Sequence, residues 1–279
     1  MDIGSIDYWA NNWDSFMHRA SAFSKILSAL LIIAAVILTN DFFVLLTIYT
    51  TVIATVVLTL LPVSKILLID AYPGIFALLF AISRWDGTIL TPATIILRAL
   101  VAALAALMLI TTTPYPAVFA VIHRLMPRLV GDGLFLTYRS VFILLGLMTN
   151  LWTALRLRGG LTKGRYGQNL GNIGMGLGLM LIRAFSLSEK MYDAMRVRGY
   201  SGRLAPAATV WNITGYDAAP LALGCLSLSL ALAVRLYRAQ VIIYNGYFLL
   251  LAGILLVCAV AYSRLSPRRA PVRRQTWRR

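Results

Sequence analysis

The sequence predicts an all-α, polytopic membrane protein with about six transmembrane helices and a cytoplasmic region of amphipathic and charged helices. Hydrophobic residues make up 59% of the 279 residues, and only 13% are charged. The mean hydropathy is +0.78. A water-soluble enzyme of this length would carry far more surface charge, and a disordered chain would carry fewer apolar residues. Both classes are therefore excluded at the outset.

Six stretches have the roughly 20 mostly apolar residues that a bilayer crossing needs. The first two are separated by little more than Asn40 and Asp41, which predicts a tight turn between antiparallel helices. The predicted spans are residues 22–39, 42–61, 66–83, 89–111, 216–236 and 241–262.

The third predicted span contains Asp70, and the fourth contains Arg98. Ionisable groups within a span must face protein or water rather than lipid. One interpretation makes them polar elements of a transport pathway. The other, which we favour, is that they snorkel or pair with each other inside the helix bundle.

The region between the fourth and fifth spans has a different pattern. Residues 116–130 predict an amphipathic interfacial helix, with Val118, Ile122, Leu125 and Leu129 on one stripe and His123 among the polar residues. Residues 134–158 and 168–198 each begin apolar and end charged, which predicts long helices that leave the apolar layer. A re-entrant segment at 168–182 stays open. The predicted segments are 1–113 and 214–263 in the membrane, 114–213 between them, and a basic tail at 264–279.

The positive charge is concentrated on one side of the predicted topology. The formal net charge is +16, and 22 of the 26 Lys and Arg residues fall on the side that holds both termini and the 112–214 region. Cytoplasmic loops collect Lys and Arg, so this side is predicted to be cytoplasmic. The tail carries seven arginines and no acid. We expect it to meet anionic lipid headgroups rather than nucleic acid.

One short pattern occurs twice, 40 residues apart, and each copy closes a predicted helix. Both copies follow Ala-[Leu/Met]-Arg-[Leu/Val]-Arg-Gly. Glycine is favoured just past a helix end, and an arginine in the last turn interacts favourably with the helix dipole. Ordinary basic capping would explain one copy; two copies suit a partner with two similar sites, such as a dimer. The candidate site residues are Ala154, Arg156, Arg158, Gly159, Ala194, Arg196, Arg198 and Gly199.

The remaining chemistry-bearing residues predict no metal site, catalytic site or bound cofactor in this chain. Cys225 and Cys258 lie in apolar stretches and are expected to be buried packing residues rather than a disulfide. The two histidines are isolated in sequence, and no Walker A phosphate-binding motif is present.

The residues around the second copy, 188–203, resemble the signature of the transmembrane (T) components of energy-coupling factor transporters, most closely the CbiQ-like cobalt branch. Residues 15–19 and Lys25 are similar to the start of that family's first helix. The family usually has Asp and Arg between His-Arg and Lys, where this chain has Ser21 and Phe23.

The resemblance implies a non-catalytic scaffold in the bacterial inner membrane that couples two cytoplasmic ATPase subunits to a substrate-binding membrane subunit. Its two coupling helices would cross, and Arg158 and Arg198 would dock into the two ATPases. ATP and Mg would bind to those subunits, and cobalt to the substrate subunit. A small accessory membrane subunit is a further candidate partner.

Other functions stay open from the sequence. The substrate could be nickel, biotin or another vitamin rather than cobalt. A self-contained secondary metal transporter would need its own site near mid-membrane, for which only Asp70 and Arg98 are available. A membrane-embedded enzyme would need convergent catalytic groups. A membrane interaction protein without transport activity is a fourth alternative.

Overall fold

The computed structural model describes residues 10–13, 15–85, 87–160, 166–200, 215–237 and 245–265, and these form helices and no strand. The chain divides into two compact units, residues 1–118 with 209–279, and residues 119–208. The helices are α1 (Phe16–Arg19), α2 (Ala22–Leu38), α3 (Phe42–Leu58), α4 (Val63–Ser83), α5 (Leu90–Thr112), α6 (Tyr115–Leu125), α7 (Arg128–Leu157), α8 (Tyr166–Val197), α9 (Ala218–Leu236) and α10 (Asn245–Leu265).

The prediction of an all-α, polytopic membrane protein is confirmed. Within the described ranges, six helices are long and apolar enough to span a bilayer. Four of them, α4, α5, α9 and α10, correspond to predicted spans. The first two predicted spans appear as the 17-residue helices α2 and α3, each about 26 Å long at 1.5 Å per residue, close to the ~30 Å hydrocarbon layer. The other two helices that qualify are α7 and α8.

The first unit is built around α2, α3, α5 and α9. Helix α2 packs against α5 and α9, α3 packs against α5 and α10, and α4 packs against α5. Ile32, Leu45, Val101 and Leu104 are among the fully buried side chains of this core. Cys225 and Cys258 are free and exposed. The expectation that they are buried is wrong, because they lie on faces of α9 and α10 that no described helix covers.

Asp70 and Arg98 have separate partners. The Tyr49 hydroxyl donates to Asp70 Oδ2 over 3.1 Å. Arg98 Nη2 donates to the Thr39 carbonyl and to Asn40 Oδ1, each over 2.6 Å. Arg98 therefore reaches the α2–α3 turn, and the alternative that Asp70 and Arg98 pair with each other is wrong. The two residues lie at different levels of the antiparallel α4–α5 pair.

The predicted amphipathic helix 116–130 is shorter than expected. Helix α6 ends at Leu125, and α7 begins at Arg128. Pro127, at the N-cap position of α7, has extended backbone angles (φ −54°, ψ 142°). Proline has no N–H to donate and disfavours helical geometry in the residue before it. Leu129 therefore belongs to the next helix, and the predicted stripe is divided between two helices.

Gly224 allows α9 to approach α2 closely. A Cβ atom built there would lie 2.9 Å from the Ser28 Cα and 3.1 Å from a Leu31 methyl. Backbone cannot move aside as a flexible side chain can, and small residues at such crossings drive helix association in membranes. We expect Gly224→Val to destabilise the first unit by about 1–3 kcal/mol, measured as a lower midpoint of thermal unfolding in detergent.

Gly253→Val in α10 is the matched control for this prediction. A Cβ at Gly253 meets no atom within 4 Å. Gly253→Val makes the same chemical change in another apolar helix. This variant is expected to unfold near the wild-type temperature. Equal loss of stability in both variants would contradict the close-crossing explanation.

Candidate functional site

The two copies of the arginine-glycine pattern end their helices with the same backbone structure. At the end of α7, Gly159 N–H donates to the Arg156 carbonyl (3.1 Å) and Gly160 N–H to the Leu155 carbonyl (2.8 Å). At the end of α8, Gly199 N–H donates to Arg196 (3.0 Å) and Tyr200 N–H to Met195 (3.0 Å). Both pairs of bonds form a Schellman motif.

Glycine is required in this motif by its backbone conformation. Gly159 has φ +67° and Gly199 has φ +79°. This left-handed region is strained for residues with a Cβ atom, whereas glycine adopts it without steric strain. The predicted role of both glycines as helix terminators is therefore consistent with the geometry. The helix ends at 152–159 and 192–199 are called tip 1 and tip 2 below.

The tips also match in side-chain exposure, residue by residue. Ala154, Arg156, Arg158 and their counterparts Ala194, Arg196 and Arg198 are all exposed. No described residue forms an ion pair with Arg158 or Arg198. Each tip thus presents two guanidinium groups to solvent or to a partner. Arginine suits such a contact because its planar fork binds carboxylates in a bidentate manner.

The structure extends the repeat by one residue type that the sequence comparison missed. The Arg156 Cζ atom lies 5.9 Å from the centroid of the Trp152 ring, and the Arg196 Cζ lies 5.9 Å from the centroid of the Tyr192 ring. Both are cation–π contacts between residues four apart on one helix face. The sequence signal was an aromatic residue two positions before the alanine in both copies.

The two tips belong to helices that contact each other, but the tips lie far apart. Gly176 in α8 faces Leu151 in α7, and a Cβ at Gly176 would lie 3.1 Å from a Leu151 methyl. Near this contact, the Asn172 side-chain amide donates to the Gly160 carbonyl over 3.0 Å. From Asn172, α8 continues for 26 residues to Arg198, on the order of 40 Å at 1.5 Å per residue. The structure therefore keeps the two sets of candidate residues at separate ends.

The corner between α6 and α7 is held by a histidine–aspartate hydrogen bond among aromatic rings. His123 Nε2 lies 3.0 Å from Asp132 Oδ1. Phe119 makes edge contacts with Phe135 and Tyr138. A Cβ at Gly131 would collide with the His123 ring. His123, which is isolated in sequence, is thus a partner in a local cluster that fixes α6 against the start of α7.

A second polar cluster lies in the first unit, where α2 begins. The Asp217 carboxylate accepts hydrogen bonds from the Ser21 N–H (2.5 Å) and the Ser24 hydroxyl (3.1 Å). The Lys25 ammonium donates to the Thr112 carbonyl over 3.0 Å. Lys25 and Asp217 are both buried. These contacts join the start of α2 to the end of α5 and the start of α9, and they give Lys25 a structural role.

Among the residues that the structure describes, no three His, Cys, Asp or Glu side chains are grouped as metal ligands would be.

Comparison with known families adds one finding. The family model for CbiQ, a cobalt transport protein, matches residues 14–208. The match includes tip 1, tip 2 and the start of α2. No curated protein matches the chain.

Proposed function

The chain belongs to the CbiQ cobalt transport protein family, and we propose that it is the transmembrane coupling subunit of an energy-coupling factor importer. In this role it transmits ATP-driven motion from two cytoplasmic ATPase subunits to a substrate-binding membrane subunit. Cobalt is the proposed substrate. The multi-pass protein lies in the bacterial inner membrane with both termini in the cytoplasm.

One observation carries the proposal, the duplicated tip on two crossing helices. The tips share backbone hydrogen bonds, left-handed glycines, exposure and arginine positions. Two equivalent basic surfaces about 40 Å apart suit a partner that is itself a dimer with two equivalent acidic sites. Arg158 and Arg198 supply the docking contacts, while Ala154, Gly159, Ala194 and Gly199 shape the surface around them.

ATP and Mg bind to the ATPase subunits in this proposal, and cobalt binds to the substrate subunit. The contribution of this chain is mechanical. Rigid helices such as α7 and α8 carry displacements of their ends along their length, because packed helices shift as units rather than deform continuously.

Reconstitution in liposomes distinguishes the proposed coupling subunit from a secondary metal transporter that works alone. We expect uptake of radiolabelled cobalt only when this chain is combined with the ATPase subunits, the substrate subunit and ATP. A parallel measurement with nickel tests the substrate. Cobalt uptake by the chain alone without ATP would contradict the proposal and establish a secondary transporter.

A further inference from the structure

A cleft lies between α9 and α10, with α3 as its floor. Its volume is about 580 Å³, within the range of about 300–1,000 Å³ that is typical of ligand sites. Val52 of α3, Leu223 of α9 and Ala252 of α10 line the cleft and are buried. Leu226 and Leu251 also line it but are 68% and 65% exposed. The cleft therefore opens between α9 and α10 onto the outer surface of the first unit.

The walls of the cleft offer a ligand no free hydrogen-bond donor among the described residues. Its polar side chains are hydroxyls, and each hydroxyl carries one hydrogen. The hydroxyls, which donate to carbonyls of their own helices over 2.7–3.0 Å, are those of Thr47, Thr51, Thr55, Ser227 and Ser229. A buried water or a hydrated cation needs several polar partners. These walls therefore suit an apolar occupant.

Exposed tyrosines mark both ends of the cleft along α9. Tyr216 precedes the lining residue Ala219 by three positions, and Tyr237 follows the lining residue Ala233 by four. Tyrosine is enriched where a protein passes from lipid chains to headgroups. From Ala219 to Ala233, α9 rises about 21 Å, less than the ~30 Å hydrocarbon layer. The cleft therefore lies at the depth of the lipid chains.

The size of the cleft favours a lipid chain over a helix of another protein. A helix with its side chains is about 10–12 Å across, so a length of 21 Å would fill on the order of 1,600 Å³. Such a helix would enter the cleft only in part. Protein interiors leave few voids larger than a water molecule, and one extended acyl chain would fill this one.

One end of the cleft carries positive charge. The Asp217 carboxylate accepts a hydrogen bond from the Ser24 hydroxyl over 3.1 Å, so α9 begins beside the start of α2. At this end the exposed Arg19 stacks on Tyr216, with its Cζ atom 6.0 Å from the ring centroid. The last turns of α10 pack against those of α3, so the arginine-rich tail at 264–279 continues from the same end. A guanidinium at this level suits a phosphate group.

We propose that the cleft binds an anionic phospholipid, whose acyl chain lies on α3 between α9 and α10 and whose phosphate is bound by Arg19. Helix α9 packs mainly against α2, and α10 against α3. The acyl chain fills the space between α9 and α10 and links the two helices through van der Waals contacts. This site goes beyond the proposed coupling function and does not depend on it.

Photocrosslinking in vesicles locates the lipid. The full chain, alone and assembled with its partner subunits, is reconstituted in phosphatidylethanolamine with a small fraction of phosphatidylglycerol that carries a photoactivatable group in mid-chain. Mass spectrometry after illumination is expected to find several-fold more label on α9 and α10 than on α4, whose exposed Ile75 and Leu79 report ordinary lipid contact. Excess unlabelled phosphatidylglycerol should displace only the label in the cleft.

Equal labelling of α4 and the cleft, with no displacement by the unlabelled lipid, would overturn the proposal. Loss of the label from the cleft when the partner subunits are added would also overturn it, and would assign the cleft to a partner helix.

Filling the cleft tests the position of the acyl chain. Ala222 and Ser229 line the cleft, are exposed and lie seven residues apart on α9. Ala222→Phe with Ser229→Phe is expected to lower labelling of the cleft several-fold. Ile254→Phe with Ala261→Phe is the matched control, because these α10 residues are exposed, equally spaced and outside the cleft lining. Equal labelling of the two double variants would contradict the proposed position.

The headgroup contact has its own test. Arg19→Gln is expected to lower labelling of the cleft by phosphatidylglycerol about fivefold, the effect of about one basic residue at a lipid surface. Arg235→Gln removes an exposed arginine at the opposite end of α9 and is expected to leave the labelling as in the wild type. Unchanged labelling in Arg19→Gln, or an equal loss in both variants, would overturn the assignment of the phosphate to Arg19.

Discussion

Replacing Arg158 and Arg198 together with glutamate is expected to abolish ATP-driven cobalt uptake while the membrane helices stay folded. Both residues are exposed, and their side chains make no ion pair within the described part of the chain. Their replacement therefore breaks no ion pair, and its effect on the helices is limited to the interaction with each helix dipole, about 0.3–1 kcal/mol per charge. Breaking a hydrogen-bonded charge pair at an interface costs about 2–5 kcal/mol. That range corresponds to binding weaker by about 30-fold to several thousand-fold at each tip.

The single variants separate the contributions of the tips. We expect Arg158→Glu and Arg198→Glu each to lower uptake strongly, since the proposed coupling requires both tips to be docked. Uptake of radiolabelled cobalt by cells that express the complete transporter measures the effect. Circular dichroism of the purified chain checks that its helical content is unchanged.

Arg183→Glu is the matched control for charge. Arg183 is exposed on α8, 15 residues before Arg198, and its reversal changes the net charge and the Lys/Arg count as each single tip variant does. Uptake near the wild-type rate is expected. Normal uptake in the double tip variant would refute the docking role of Arg158 and Arg198.

The membrane helices could be predicted because span length depends mainly on local composition. An apolar run of about 20 residues specifies a helix in lipid, where every backbone polar group must bond within its own segment. Helices α4, α5, α9 and α10 follow this rule. The end of α6 is harder to predict because the apolar stripe continues through Leu129, whereas Pro127 disfavours helical geometry in the residue before it.

The partners of buried polar groups could not be predicted in the same way. Arg98 bonds to the Thr39 carbonyl, 59 residues away, and Asp217 accepts from Ser21, 196 residues away. Such contacts depend on which helix faces pack together, and one sequence does not specify this.

The structure of the two tips could be predicted from the sequence only in part. Their glycines and arginines are readable because a helix C-terminus is a local structure. The contact of Arg156 with Trp152 is also local, at a spacing of four residues, and an aromatic residue stands at the equivalent position of both copies. The close approach of α7 at Gly176 is tertiary, and one glycine among several in α8 gives no sequence signal of its own.

Replacing Gly176 with leucine is expected to disrupt the α7–α8 crossing and to reduce uptake by about tenfold or more. Gly176 is buried, and a Cβ there would lie 3.1 and 3.2 Å from the two Leu151 methyl groups. A whole leucine side chain needs space that α7 occupies, and overpacking of this kind costs about 1–3 kcal/mol. The helices would then separate or rotate, and tip 1 and tip 2 could no longer meet two fixed sites together.

Gly174→Leu isolates this effect from helix propensity. A Cβ at Gly174 meets no atom within 4 Å. Both variants replace a glycine in the middle of α8 and gain up to about 1 kcal/mol of helix propensity. Gly174→Leu is therefore expected to be neutral or slightly stabilising, with normal uptake.

Spin labels at Thr153→Cys and Asp193→Cys, after replacement of the free Cys225 and Cys258 by serine, report the geometry directly. The two label sites are exposed and occupy equivalent positions in the two copies. Gly176→Leu should shift or broaden the distance distribution, while Gly174→Leu should leave it as in the parent chain. If uptake fell in Gly176→Leu while the distance distribution stayed unchanged, the spacing between the tips would not be set where α7 and α8 meet, and the loss of uptake would have another cause.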